Sequence, residues 1–181
     1  MVATKHTLVA LVEDKPGVLN RVASLFRRRG LNIESIAVGR SETPHLSRMT
    51  MVVDGATAMV EQVRKQLGKV IDVVRVSDIT DTDLVARELA LIKIKATSST
   101  RSEIIQIVDI FRANIVDIGS DSLTVEVTGD EDKIDSLFNL LRGFGIKELA
   151  RTGRIAMSRG GASPLPVEKE LSNTPAKKQK T

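Results

Sequence analysis

The sequence predicts an α+β fold made of two βαββαβ units that follow one another along the chain. Short runs in which every second residue is apolar are typical of antiparallel strands. Four longer stretches carry apolar residues at spacings of three and four, as amphipathic helices do. The order strand, helix, strand, strand, helix, strand occurs once before residue 77 and once after residue 88. At 181 residues the chain is long enough for two small domains.

The first strand is predicted at residues 6–12, where an apolar run leads into a charged turn and then a helix. Pro16 suits the first helical position because its ring fixes φ near the helical value. Asp14 suits the cap because its carboxylate can accept unpaired amides of the first turn. Gly30 ends the helix where a left-handed residue is favoured. The predicted core-facing residues of this helix are Val18, Leu19, Val22, Leu25 and Phe26.

Three more strands and a second helix complete the first unit. They are a strand at 32–40, a turn at 41–44, a strand at 47–54, a helix that ends at Gly68 and a strand at 70–76. Alternation in the second strand predicts Ile36 and Val38 on one face. Ile33 is predicted on the opposite face, together with Ser35 and Ala37. Two helices on one face of an antiparallel sheet make a ferredoxin-like arrangement.

The same order repeats after a polar, turn-rich segment. The elements predicted there are a strand at 89–96, a helix through Phe111, strands at 115–118 and 123–127, a helix at 130–142 and a last strand region at 146–157, interrupted near Gly153. The predicted domains are therefore 1–78 and 87–159, with a linker at 79–86. A tail at 160–181 is predicted to be disordered because it has too few apolar residues to form a core.

The composition excludes several classes of function. Cysteine is absent, so no disulfide framework, zinc–thiolate site or thiol nucleophile is available. Residues 159–181 carry five Lys or Arg and two Glu, which leaves the remainder of the chain with a net charge of only +1. The body of the chain therefore has no basic excess that would indicate a nucleic-acid surface. The aromatic residues, four Phe with no Trp or Tyr, also argue against such a surface. No signal peptide or membrane span is predicted, so we expect a soluble, cytoplasmic protein.

Catalytic constellations are not evident in the sequence. The two histidines, His6 and His45, have no metal-ligand spacing, so no metal site is expected. No nucleophile elbow, phosphate-binding loop or dinucleotide motif is found. The sequence therefore favours a binding or regulatory module over an enzyme.

The turn between the first strand and the first helix combines two kinds of binding group. The helix-terminal amides of Gly17, Val18 and Leu19 suit an anion, and the carboxylate of Asp14 suits a cation. An α-amino acid carries both charges on adjacent groups, so this turn is suited to hold one. An ordinary capped helix without a ligand is the alternative.

Several segments resemble the ACT domain of the regulatory (small) subunits of acetolactate synthase, also called acetohydroxyacid synthase. The resemblance extends from about residue 5 to residue 160 and is carried by EDKPGVL (13–19), LFRRRGLNIESI (25–36), LSRMTM (46–51), VVRV (73–76) and AMSRG (156–160). It implies an N-terminal ACT domain and a C-terminal ACT-like domain. One residue departs from the pattern, because many relatives have Asn where this chain has Asp14, which leaves the effector preference open.

The resemblance also implies a function. Such subunits have no catalysis of their own; they bind and activate the large subunit of this transferase and make it subject to feedback inhibition by branched-chain amino acids, chiefly valine, with leucine and isoleucine as alternatives. No cofactor is implied for this chain, whereas thiamine diphosphate, Mg²⁺ and FAD are expected on the catalytic subunit. No nucleic-acid or membrane partner is implied.

The resemblance places the allosteric effector between the ACT domains of a homodimer. One chain contributes Asp14, Gly17, Val18 and Leu19, and the second copy contributes Asn32 and Ile33. Leu11 would line the side-chain pocket with Leu19 and Ile33.

The sequence leaves two other functions open. RNA-recognition modules share the same topology, and a stand-alone ACT sensor could serve another enzyme or a transcription factor.

Overall fold

The structure, a computed structural model, describes residues 4–161 and residue 165. The elements of the first half are β1 (Thr4–Glu13), α1 (Val18–Arg28), β2 (Asn32–Arg40), β3 (Leu46–Gly55), α2 (Thr57–Leu67) and β4 (Val73–Asp78). Those of the second half are β5 (Leu84–Lys95), α3 (Arg101–Ile110), β6 (Asn114–Ile118), β7 (Ser122–Gly129), α4 (Glu131–Leu141), a 3-10 turn (Arg142–Phe144), β8 (Ile146–Arg151) and β9 (Ile155–Ser158).

Two antiparallel sheets organise the chain, which confirms the predicted α+β class. The first sheet has the strand order β2-β3-β1-β4, and the second has the order β6-β7-β5-β8. β9 pairs with the first four residues of β5, whereas β7 and β8 pair with the rest of that strand. Each half thus has the predicted βαββαβ order, with β9 as an addition at the end.

Each half has its own core between its sheet and its two helices. In the first half, β1 contributes Leu8, Ala10 and Val12, all at most 1% exposed. The helices supply Val18, Val22, Leu25, Phe26, Val60, Val63 and Leu67. The second core is formed by Ala90, Ile92, Ile94, Ala96, Ile104, Val108, Leu123, Val125, Val127, Ile134, Leu137 and Leu141. Burying one Val, Leu or Ile side chain contributes about 1.5–3 kcal/mol, so each cluster stabilises its own half of the chain.

A third apolar cluster joins the two halves. Val9, Leu11 and Leu46 lie on the face of the first sheet that points away from its helices. They pack against Ile79, Ala156 and Leu165, which come from later parts of the chain. β1 is therefore buried on both faces, and this explains why its sequence is a continuous apolar run and does not alternate.

The second strand departs from the predicted alternation. Ile33 pairs with Val53 and Ser35 with Val52, so Glu34 is an extra residue in β2. This bulge shifts the side-chain pattern by one position. Ile33 and Ile36 consequently both pack against the first core, and the prediction that they face opposite sides was wrong.

Several predicted boundaries also moved. β4 begins at Val73 and not at residue 70, because the amide of Val73 closes a turn on the carbonyl of Val70. β5 begins at Leu84, inside the predicted linker, because β9 provides a pairing partner there. The predicted interruption near Gly153 is confirmed by the gap between β8 and β9. The domain boundaries themselves stay predictions, and the predicted disordered tail lies outside the described residues apart from 160, 161 and 165.

Candidate functional site

The turn between β1 and α1 positions a free helix end. α1 begins at Val18, and Gly17 is its cap residue with φ +88°. No side chain caps the helix, and Pro16 lies in the preceding turn. The predictions that Pro16 is the first helical residue and that Asp14 is the cap were therefore wrong. The helix starts later than predicted because residues 15–18 form a turn, in which the amide of Val18 lies 3.5 Å from the carbonyl of Lys15.

Asp14 is held by the neighbouring hairpin and not by the helix. Its amide donates a 2.8 Å hydrogen bond to the carbonyl of His45, in the turn between β2 and β3. Its exposed side chain borders a recess of about 350 Å³, which Arg40 also lines. The remaining lining residues are Ser41, Thr43, Pro44, His45 and Leu46. A carboxylate and a guanidinium thus border one recess, whereas the sequence predicts a binding role for Asp14 alone of these two residues.

The space beside Gly17 is open. A Cβ built on Gly17 would have no atom within 4 Å outside its chain neighbours. Leu19 is 50% exposed, whereas Val18 is buried in the first core. Because the first amides of a helix have no acceptors within the helix, this end offers donors to an anion. No acidic residue lies in the first turn of α1 to compete for them.

The other predicted site residues lie elsewhere on the sheet. Asn32 is exposed at the start of β2 and pairs with Asp54, at the end of the sheet opposite to Asp14. Ile33 is half-buried and packs against the first core. Leu11 is 2% exposed and belongs to the third cluster, on the face away from the helices. One chain therefore brings together the residues of the turn but keeps Asn32, Ile33 and Leu11 apart from them.

β2 is an edge strand of the first sheet. Its residues form a ladder with β3 on one side, and no other described strand pairs with it. An edge strand presents a row of amides and carbonyls that can pair with another chain. The nine residues of β2 thus offer an edge on which a second sheet can be added.

The described residues show no cluster of three His, Asp or Glu side chains that could hold a metal ion. None of the helices within them is both long and apolar enough to cross a membrane.

Comparison with protein families identifies two matching segments. The sequence model of the family described as "AHAS small subunit-like ACT domain" matches residues 8–75. The family described as "Small subunit of acetolactate synthase" matches residues 87–160. The two segments correspond to the two sheets of the fold.

Individual relatives match over most of the chain. A protein of Archaeoglobus fulgidus described as "Probable acetolactate synthase small subunit" is 58% identical over 156 residues, which cover 86% of this chain and 98% of the relative. The "Acetolactate synthase small subunit" of Mycobacterium bovis is 52% identical over 155 residues, covering 86% of this chain and 92% of the relative. The crystal structure of the acetolactate synthase small subunit from Thermotoga maritima is similar with a TM-score of 0.80 and 42% identity, over 88% of this chain and 99% of that chain.

Proposed function

The chain belongs to the acetolactate synthase small-subunit family, and we propose from this that it is a regulatory subunit without catalysis of its own. It binds the thiamine-diphosphate-dependent catalytic subunit of acetolactate synthase and raises its activity. It also makes that activity subject to feedback inhibition by valine, a product of branched-chain amino acid biosynthesis. Thiamine diphosphate, Mg²⁺ and FAD belong to the catalytic subunit in this proposal.

The observation that carries the effector proposal is the open, uncapped end of α1 at Gly17. The amides that follow Gly17 would bind the carboxylate of valine, because they carry the positive end of the helix dipole. Asp14, at the same turn, would bind the ammonium group. Leu19 offers an exposed apolar side chain to the branched aliphatic group. Leu11 lies on the face of β1 that points away from α1, so in this proposal it supports the strand next to the turn and does not contact the effector.

The geometry of β2 supports a site shared between two copies. Asn32 and Arg40 lie eight residues apart, about 26 Å along the strand. In one chain, Asp14 lies near Arg40, because Asp14 bonds to the hairpin that follows Arg40. Antiparallel pairing of two β2 edges about their middle would bring Asn32 of one copy beside Arg40 of the other. The turn at Gly17 and the residues Asn32 and Ile33 would then meet across the dimer.

The RNA-binding alternative has less support in the fold. RNA-recognition modules stack bases on aromatic side chains of the open sheet face. In this chain that face carries Val9, Leu11 and Leu46, which are buried beneath later parts of the chain.

Co-purification distinguishes our proposal from the alternative of a stand-alone sensor. Our proposal requires that a large thiamine-dependent partner co-purifies with this chain.

The test is an activity assay of the matching catalytic subunit with and without this chain, across a valine series. Gly17→Asp places a negative charge where the effector carboxylate is proposed to lie. Because hydrogen bonds to charged groups contribute about 1.5–3 kcal/mol, the valine concentration for half-inhibition should rise at least about tenfold. Activation of the catalytic subunit should persist.

Gly30→Asp is the matched control. Gly30 also has positive φ and open space around it, but it lies at the other end of α1. The Gly30 variant should therefore keep its valine response. If Gly17→Asp stays as sensitive as the unmodified chain, the site assignment is wrong. If valine, leucine and isoleucine give no binding heat and this chain has no effect on the catalytic subunit, the proposed function is wrong.

A further inference from the structure

A charged cavity lies between the two halves of the chain. It has a volume of about 580 Å³ and lies between β2 of the first sheet and the segment that joins β8 to β9. The charged side chains that line it are Lys5, Glu34, Glu88, Glu131, Arg151 and Arg154. Each of them forms an ion pair with another residue at the cavity, so the charges are matched to one another. This pattern indicates a connection between the halves and not a free ligand site.

Glu131 is one of the residues at which the two halves meet. It is the first residue of α4, and its two carboxylate oxygens have different partners. Oε1 accepts a 3.0 Å hydrogen bond from Nζ of Lys5, which belongs to β1. Oε2 is paired with the guanidinium of Arg154, in the β8–β9 connection. The hydrogen bond to Glu131, followed by that to Glu34, raises the pKa of Lys5 above its ordinary value.

A backbone contact accompanies the ion pairs. The amide of Arg154 donates a 2.8 Å hydrogen bond to Oγ of Ser35 in β2. Gly153 lies so close to β2 that a Cβ there would be 2.8 Å from Oγ of Ser35 and 3.1 Å from the carbonyl oxygen of Ile36. The β8–β9 connection therefore lies directly against β2 and would be displaced if this part of the strand moved.

The same part of β2 adjoins two proposed effector-binding residues. Asn32 and Ile33 immediately precede Glu34 and Ser35. Glu34 is the bulged residue, and its carboxylate lies 3.2 Å from Nζ of Lys5. A bulge re-aims the side chains around it. Four consecutive residues thus contain two proposed effector contacts followed by two contacts to the network of the other half.

We propose that Glu131 is a coupling residue: its bridge between Lys5 and Arg154 transmits the effector-bound state of β2 to the C-terminal half. This inference rests on the proposed function, because it requires an effector at Asn32 and Ile33. An effector changes an equilibrium only through a difference in its affinity for two states. The bridge connects β1 and β2 to α4, so a difference in β2 between the two states also reaches the C-terminal half.

The exposure of these side chains favours a role in coupling over a role in stability. Lys5 is 51% exposed and Glu131 is 34% exposed. Ion pairs with this much solvent access contribute little net stability. Removing the bridge should therefore leave the fold intact and change the response to the effector.

The experiment uses the full chain with the matching catalytic subunit. Glu131→Gln keeps the shape of the side chain and removes its charge. Two quantities are measured: the dissociation constant of valine for this chain by calorimetry, and the inhibition reached at saturating valine. Glu61→Gln is the matched control, because Glu61 forms its ion pairs with Arg64 and Lys65 within α2 and has no ion pair with another element in the described part of the chain.

Valine should bind the Glu131→Gln variant with nearly unchanged affinity. The ratio of uninhibited to inhibited activity should fall at least about fivefold, since allosteric couplings are commonly about 5- to 150-fold. The Glu61→Gln control should behave like the unmodified chain. Ser35→Ala removes the hydrogen bond from the amide of Arg154 without altering a charge and should weaken the coupling in the same direction.

The outcomes separate this inference from the proposed function. Full inhibition of the Glu131→Gln and Ser35→Ala variants, with the unmodified chain also inhibited, would overturn the coupling role. Loss of valine binding together with loss of inhibition in Glu131→Gln would also overturn it, because the residue would then act on the effector site. An unmodified chain that neither binds nor responds to valine would refute the proposed function.

Discussion

Replacing Gly153 by alanine should specifically weaken the contact between the two halves of the chain. Gly153 has φ +81°, a conformation that costs an L-residue about 1–2 kcal/mol. The added Cβ would also lie 2.8 Å from Oγ of Ser35 and 3.1 Å from the carbonyl oxygen of Ile36. Contacts this short force the two segments apart.

The expected loss of stability is about 2–4 kcal/mol. Overpacking of a close contact costs about 1–3 kcal/mol, in addition to the backbone strain. Displacing the segment also weakens the hydrogen bond from the amide of Arg154 to Ser35. The reduced entropy of the unfolded chain offsets about 0.4–1 kcal/mol of this loss.

The assay is urea unfolding of the full chain at fixed protein concentration, with Gly30→Ala as the control. Gly30 has φ +65° and open space around its Cβ position, so this variant should lose only about 1 kcal/mol, from backbone strain. In a Ser35→Ala background, Gly153→Ala should cost less, because the nearest clashing atom is gone. Equal costs for Gly153→Ala and Gly30→Ala would show that the close approach to β2 does not exist in solution.

Three further predictions concern stability and titration. Leu8→Ala should cost about 2–5 kcal/mol in urea unfolding, because Leu8 is fully buried in the first core. Arg151→Gln leaves Glu88, which is 9% exposed, without its bidentate partner, so the melting temperature should fall, whereas the additional mutation Glu88→Gln should restore part of the loss. The pKa of Glu61 is lowered to about 2, chiefly by its hydrogen bonds from Arg64, so the pair's contribution is present above pH 4.5 and lost as the pH falls toward 2. NMR titration should show this pKa, and Arg64→Gln should raise it toward its ordinary value, with Lys65 still holding it below that value.

The fold class could be predicted because its signals are local. The spacing of apolar residues predicts all four α-helices found in residues 4–161, and glycines mark several of their ends. The bulge at Glu34 had no such signal, since nothing in the residues around it distinguishes a regular strand from a bulged one. For that reason the sequence predicts the wrong face for Ile33.

The candidate site could be predicted only in part, because some of its contacts join residues that are far apart in the sequence. Gly17 and the residues after it carry their chemistry within one turn, and the structure keeps that turn open. Asp14 does not cap α1; its amide donates to the carbonyl of His45, in the hairpin between β2 and β3, and local spacing does not reveal that contact. Lys5 and Glu131 are 126 residues apart, so the bridge between the halves leaves no trace in local spacing.

The burial of β1 on both faces has a consequence for anyone who wishes to express the first sheet separately. A fragment that stopped after Asp78 would lack Ile79, Ala156 and Leu165. Val9, Leu11 and Leu46 would then be exposed to solvent as one contiguous apolar patch. Such a fragment should precipitate or self-associate. Polar replacements at these three positions should be introduced before its ligand binding is measured in isolation.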